Sequence, residues 1–273
     1  MTLTPEQLYE WIELPSAVLK RLKELDITGG YRIMPDIRNM LLSRGEWDEG
    51  IKILRDELGD DPDGFKILRA MLQMACETYE RYKEIGIEKE IFISTMKFCT
   101  RFINAHYDLY GDYRFDWAWW FPRQLACKEF RIGCLEYEFV EGIEDLISVH
   151  IPSDADLKRD TVVHSLLSFF AFREKYFPDW SKAKLYCESW LLSPALKELL
   201  PENSNIIKFQ ELFSVEHTDY QSLAVMDWVF PGHKEVSHCL PENTSLQKHM
   251  KEFLLKGGKV GWSKGYLNED KLF

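Results

Sequence analysis

Ile132-Gly-Cys-Leu-Glu-Tyr-Glu-Phe-Val140, Asp145-Leu-Ile-Ser-Val-His-Ile151 and Lys184-Leu-Tyr-Cys-Glu-Ser-Trp190 decide the fold. Aromatic and apolar residues recur at alternate positions, which is the period of half-buried strands. Glu141-Gly142 places a tight turn between the first two strands, so they are antiparallel. Pro152 ends the second, because proline cannot donate to a ladder. Ser153 with Asp156 three residues on predicts a helix from Ser153 to about Phe177, where Pro178-Asp179 breaks it. A helix between strands 145–151 and 184–190 makes them parallel, with a right-handed crossover. Ser193-Pro194 opens a further short helix, ended by Pro201. A hairpin feeding a strand–helix–strand unit gives a mixed sheet. It also leaves a place where neighbouring strands part, and ligands favour such breaks in strand order.

Register matters for chemistry in this hairpin. A turn over Glu141–Glu144 pairs Val140 with Asp145 and puts His150 opposite Leu135. A slip of one residue puts His150 opposite Glu136 instead, where a carboxylate raises the imidazole pKa.

Outward from this core, residues 1–126 read as helical throughout. Thr4-Pro-Glu-Gln7 is a capping box with proline at the first helical position. Leu14, Val18, Leu22 and Leu25 continue an apolar stripe, and Gly29-Gly30 interrupts it. Gly59-Asp-Asp-Pro-Asp-Gly64 is a loop by composition. Phe65–Ile85 and Ile87–Tyr110 are the longest helices, with stripes at Ile67, Met71, Met74, Ala75 and Thr78, and at Ile91, Thr95, Phe98, Phe102 and Ala105. Phe115-Asp-Trp-Ala-Trp-Trp-Phe121 is the most aromatic run. It reads either as a stacking platform or, on the weight of aromatics in buried interfaces, as a hinge packed between the two halves. Downstream, Asn205–Val215 reads as a long strand and Leu223–Phe230 as its hairpin partner. Thr244-Ser-Leu-Gln247 is a second capping box, and its helix runs to Lys256 before a glycine-rich tail.

The composition excludes several classes. With 273 residues and 32.3 kDa, one large or two modest domains fit. A net charge of −11 and a pI near 5.2 argue against nucleic acid and membrane surfaces as partners. The polar N-terminus has no secretory h-region, and no apolar run reaches bilayer length. Six cysteines at 76, 99, 127, 134, 187 and 239 form no CxxC pair, which points to reduced thiols in a cytoplasm rather than disulfides or a zinc site.

Among single residues, His150 ends its strand where the neighbours part, and it titrates near neutrality, so it is the candidate base. Glu136 and Glu138 share one face of the preceding strand and suit amine binding or proton relay. Ser189 and Cys187 share a face of the third strand; Ser189 is taken as catalytic, while Cys187 reads as a buried apolar thiol. His233 and His238-Cys239 lack the spacing of a metal site, so no metal is expected.

The fragments Gly133-x-Leu-Glu-Tyr-Glu138, His150-Ile-Pro-Ser153, Ser189-Trp-Leu-Leu-Ser-Pro194, Leu200-Pro201, Ser204-Asn-Ile206, Phe209-Gln210 and Gly257-Gly258 form one long composite pattern. On these, the chain resembles the bacterial acyltransferase domain-containing family, which joins a helical N-terminal domain to a GNAT-like C-terminal domain. The resemblance implies an α+β fold, with an N-terminal helical domain (1–126) packed on a GNAT-like mixed β-sheet domain (127–273). It implies N-acyl transfer from acyl-CoA or acetyl-CoA to a small-molecule acceptor, the alternative being a degenerate fold that binds without catalysis. The cofactor would lie where strands 145–151 and 184–190 splay, held by Ile151, Ser153, Lys158 and Arg159. The loop Pro152-Ser-Asp-Ala-Asp156 departs from the superfamily in lacking glycine and carrying two carboxylates. The tyrosine acid usual after the following strand is replaced by Leu191-Leu192-Ser193. For an acidic chain binding a polyanion, Lys256, Lys259 and Trp262 in the glycine tail then offer an anion nest and an adenine stack.

Overall fold

The computed structural model describes residues 2–27 and 31–272. The expected break at Gly29-Gly30 lies outside the described residues. Two compact units divide the chain, Met1–Ile132 and Gly133–Phe273.

The first unit contains helices α1 (Pro5–Trp11), α2 (Ser16–Ile27), α3 (Pro35–Leu42), α4 (Trp47–Leu58), α5 (Phe65–Ile85), α6 (Lys89–Met96), α7 (Phe98–Tyr110) and α8 (Pro122–Leu125), then strand β1 (Glu129–Ile132). The Thr4–Gln7 capping box forms as read. α5 is the centre, and Ile67, Met71, Met74, Ala75 and Thr78 are all buried. Its N-terminus is held by the 59–64 loop. Asp61 accepts from the backbone of Lys66 and Ile67, and Asp63 accepts from Phe65. These carboxylates satisfy amides that have no partner inside the helix and suit the positive end of its dipole. The second long helix is instead two, parted at Lys97. That break rotates the buried face, so Ile103 is buried and Ala105 is exposed. Phe98, Phe102, Phe115, Trp117 and Phe121 form one ring cluster in this unit.

The second unit contains β2 (Leu135–Val140), β3 (Leu146–His150), α9 (Arg159–Tyr176), β4 (Lys184–Ser189), α10 (Leu196–Leu199), α11 (Asn205–Gln210), β5 (Phe213–Asp219), α12 (Ala224–Val229), α13 (Ser245–Leu255) and β6 (Trp262–Leu267). Within it the strand order is β2-β3-β4-β6-β5. β3 and β4 are parallel and the other pairs antiparallel, so the α+β mixed sheet is as expected. α9 covers one face, and Tyr137 stacks on Phe169 with centroids 4.0 Å apart and planes at 4°. Stacked pairs of this kind are worth about 0.5–1.5 kcal/mol beyond the area they bury.

Four local expectations are corrected. First, Val140 pairs with Leu146 and Glu136 with His150. The tighter turn would have set Ile147 against Glu138; one extra turn residue sets it against Phe139, and the apolar face stays whole. Second, α9 starts at Arg159, not Ser153. The Asp156 carboxylate accepts from the Lys158 amide and the Thr161 hydroxyl, a local turn that competes with helix. Third, Asn205–Gln210 is helical, capped by Ser204, and the strand follows it. Fourth, Ala224–Val229 is a helix, with Val225, Met226, Val229 and Phe230 buried at helical spacing. The partner of β5 is β6, formed by the glycine tail.

Gly133 has φ +62°, and a Cβ there would lie 3.0 Å from the Ser165 Cβ and 3.1 Å from its Cα. That approach lets the Ser165 hydroxyl take the Leu135 amide and meet the Tyr137 hydroxyl. Gly133→Ala is expected to lower stability by about 1–3 kcal/mol. A urea midpoint matching the wild type would remove this account of the turn.

Candidate functional site

The parallel ladder between β3 and β4 has three pairs, Leu146–Lys184, Ile147–Leu185 and Ser148–Tyr186. Beyond Ser148 and Tyr186 the two strands no longer pair with each other. β3 runs on to His150 against β2, while β4 runs on to Ser189 against β6. The chain therefore has the expected splay between the two strands, with its vertex at Ser148 and Tyr186.

One face of the sheet at this vertex is polar. Cα partners share a face, so the register lines up Glu136 with His150, Glu138 with Ser148, Ser148 with Tyr186, Tyr186 with Tyr266, and Glu188 with Lys264. The carboxylate that meets His150 is not the one directly opposite. Glu138 reaches diagonally, and its Oε2 lies 3.0 Å from the His150 Nε2. The Glu138 side chain is 4% exposed and that of His150 24%, so the acid is enclosed and the imidazole opens outward. A carboxylate at this distance fixes the ring orientation and stabilises an imidazolium.

Tyr186 adjoins the pair. Its hydroxyl bonds to the Ser148 side chain, which pulls its pKa down. Burial is the larger effect, and it raises the pKa along with the charges of Glu188 and Glu138. The net shift is upward despite Ser148 and the Lys264 cation, so the group stays a phenol. Lys264 lies 4.6 Å from the Tyr186 ring centroid and 3.3 Å from Glu188. Burial lowers its pKa, but the Glu188 hydrogen bond and charge outweigh that and raise it.

Each residue singled out in the sequence has a definite place. His150 and Glu136 lie on the polar face as cross-strand partners, and Glu136 is buried. Ser189 lies on the opposite face with Cys187. Its hydroxyl accepts from the Leu191 amide at 3.1 Å and caps the turn Trp190–Leu192. Cys187 is buried, and burial pushes its thiol pKa up, as an inert apolar thiol requires. Ile151 is partly buried on the apolar cluster that includes Trp190, Leu196 and Phe230. Ser153 is exposed in a turn closed by Ala155 N donating to Pro152 O. Lys158 is occupied by Asp156 through its backbone and its ammonium. Arg159 donates to the Lys271 carbonyl.

The glycine tail is built into the fold. Gly257, at φ +84°, follows the end of α13, and Gly261, at φ +75°, lets the backbone approach Asp219. These are the conformations of a helix end and a strand entry in place of an anion nest. Lys256 ends α13, and Lys259 reaches Gln221 Oε1 at 3.3 Å. Trp262 is a β6 residue paired with Asp219 and packed on the same cluster as Ile151.

Residues 129–267 match the family described as GNAT-like C-terminal domain. The chain belongs to that GNAT-like family. Residues 6–127 match the N-acyltransferase N-terminal domain. None of the curated proteins matches the chain. Similar crystal structures include an acyltransferase in complex with decanoyl-CoA and teicoplanin, at TM-score 0.69 and 19% identity over 97% of this chain and 99% of that one. Others are an acyltransferase mutant with octanoyl-CoA, at 0.70 and 18%, and an acyltransferase with CoA and 10C-teicoplanin, at 0.69 and 18%, with the same coverage. These likenesses establish the fold.

In this GNAT-like chain, sequence reasoning passed over Ser148 and gave Tyr186 no chemical role. The available signal was alternation: once His150 is placed on a face, Ser148, and Tyr186 through its parallel partner, must share it. Tyrosine-labelled NMR, with the resonance identified through Tyr186→Phe, should show Tyr186 titrating above the ordinary tyrosine value of about 10. Ser148→Ala should move the titration further up, because it removes a bond that favours the phenolate. The fold's preference for the phenol contributes stability below the unfolded value and loses it as pH rises through the folded one. Titration at or below the ordinary value would contradict the burial described here.

Proposed function

We propose that the protein is an acyl-CoA-dependent N-acyltransferase acting on a small-molecule amine, with residues 1–126 as a helical domain and residues 127–273 carrying the chemistry. The single observation behind this reading is the pair of enclosed Glu138 and outward-opening His150 beside the point where β3 and β4 part. An acyl-CoA is the co-substrate such an opening suits, and the acyltransferases of similar fold are complexes with CoA, octanoyl-CoA and decanoyl-CoA. All six cysteines are free thiols, in keeping with a cytoplasmic protein. Among the described residues no helix is long and apolar enough to cross a membrane.

The roles follow from chemistry. With Nε2–H donated to Glu138, the His150 lone pair lies on Nδ1, which takes a proton from the acceptor ammonium or amine. The amine nitrogen forms a bond to the thioester carbonyl carbon, and the carbon–sulfur bond breaks. Glu138 stabilises the imidazolium that results. Tyr186, held as a phenol, donates a proton to the departing CoA thiolate, and Ser148 orients its hydroxyl. Glu136 is the cross-strand partner of His150 and shares its face of the sheet.

A second reading, a fold that binds a ligand without turnover, is favoured by one observation. Asp156 already takes the Lys158 amide and ammonium just before α9, where a phosphate would sit. Octanoyl-CoA at about a hundred times its dissociation constant should add roughly 2.7 kcal/mol of stability. Thiol release with a panel of amines, with product mass confirming acylation, then separates the two readings. On the catalytic reading, His150→Ala and Glu138→Gln should each lower kcat/KM by about 100- to 10,000-fold while octanoyl-CoA still binds. Binding without transfer to any amine would leave the second reading, and no binding of CoA or acyl-CoA would end the first.

A further inference from the structure

The helical unit holds a cavity of about 630 Å³. That lies within the roughly 300–1,000 Å³ of small-molecule sites. α5 supplies one wall with Gln73, Met74 and Glu77, and the segment entering α3 supplies the others with Arg32, Met34 and Arg38. Met74 is buried and Met34 is 54% exposed, so an apolar surface runs from floor to rim.

The charges in this cavity do not cancel. Arg38 pairs with Glu77 at 2.5 Å through Nη2, which accounts for one cation and the anion. Its Nε is buried without a hydrogen-bond partner in the structure. A buried donor left unmade is costly, and such a donor marks where an acceptor belongs. Among the described residues Arg32 has no carboxylate partner. Gln73 is occupied: oriented to satisfy both neighbours, its amide donates to the Tyr31 carbonyl at 3.2 Å and accepts from Arg69 at 3.1 Å. Two arginines against one glutamate leave the lining at 2 − 1 = +1, in a chain of net charge −11. Local positive charge against an acidic field concentrates anions there.

We propose that this cavity binds a small amphiphilic monoanion, an oxyanion head on a short apolar body. The head lies at the exposed Arg32 guanidinium, beside the Arg38–Glu77 pair, where guanidinium geometry suits carboxylate or phosphate oxygens. The body lies along Met34 and Met74, whose flexible thioethers adapt to varied apolar shapes. The site belongs to the helical unit and does not depend on the transfer chemistry proposed above.

Calorimetric titration of the full chain with octanoate, hexyl phosphate, octanol and inorganic phosphate tests this. One of the two amphiphilic anions should bind one per chain, and the stronger of them identifies the head. Octanol and inorganic phosphate should each bind at least tenfold more weakly than that anion. Arg32→Glu, an exposed change, should weaken the anion at least tenfold. Far-UV circular dichroism and melting check that the variants fold, and Met34→Ser provides an independent rim variant with the same expected direction. Failure of both anions to bind would overturn the proposal. So would affinity unchanged within twofold in folded Arg32→Glu and Met34→Ser, or inorganic phosphate binding as tightly as the amphiphile.

Discussion

A β-strand has two hydrogen-bonding edges, and β4 divides them unequally. One edge serves β3 only as far as Tyr186; the other serves β6 from Tyr186 to Ser189. With β6 holding the far half of β4, and β2 holding β3 as far as His150, the two parallel strands separate without leaving the sheet. The opening is therefore a consequence of pairing and needs no strained backbone. The residues that flank it inherit their directions from the same register. Tyr137, Phe139, Ile147 and Val149 must face α9, where Phe169 stacks on Tyr137 and meets Phe139. The strict period of two then sends Glu136, Glu138, Ser148 and His150 to the other side. The packing of one helix thus decides which side chains meet at the vertex.

Enclosing a carboxylate costs several kcal/mol in lost hydration. Glu138 is almost completely covered, yet it meets a histidine, a weaker and conditional cation, where an arginine would secure the fold better. The choice makes sense for proton transfer. Arginine never gives up its proton, whereas imidazole exchanges one near neutrality and presents a second nitrogen on the opposite edge of the ring. Tyr186 extends the arrangement with a group that burial keeps protonated. An acceptor of protons and a donor of protons then sit on adjoining strands, separated by the opening between them.

Much of this was legible in the sequence, because alternation, capping and crossover rules act locally. Strands 145–151 and 184–190, the first capping box, the Thr244 cap and the inert Cys187 follow from pattern alone, whereas the stretch 132–140 is parted by a turn at Gly133-Cys134. The failures have physical causes. The hairpin register turned on one turn residue, and apolar pairing across the strands, which turn length alone does not encode, decided it. Ala224–Val229 carries β-branched and aromatic residues that suit a strand, but its burial follows helical spacing. β6 was hidden in a run of glycines and lysines that weakens any strand signal. It is a strand because β4 and β5 offer it two edges, which is a property of the tertiary fold. The diagonal contact of Glu138, in preference to the directly opposed Glu136, depends on side-chain reach and is invisible until the register is known.

The acidic loop before α9 is the feature least like an acyl-CoA site, and its geometry reconciles it with one. Asp156 accepts from the Lys158 amide, its ammonium and the Thr161 hydroxyl. These are the donors that a phosphate at a helix start would use. The backbone bond from Lys158 comes first in holding the Asp156 carboxyl below its usual range, so the carboxylate stays ionised and serves as the loop's own anion. It is held at the surface, where ion pairs are screened and contribute little. A phosphate arriving there meets no buried charge that must be removed. It meets an exposed carboxylate that holds the Lys158 ammonium and amide. On that view the carboxylates stand in for the phosphate, and binding becomes an exchange of one anion for another. The consequence is a dependence on ionic strength weaker than a bare cationic loop would have, because the site changes its net charge less when it fills.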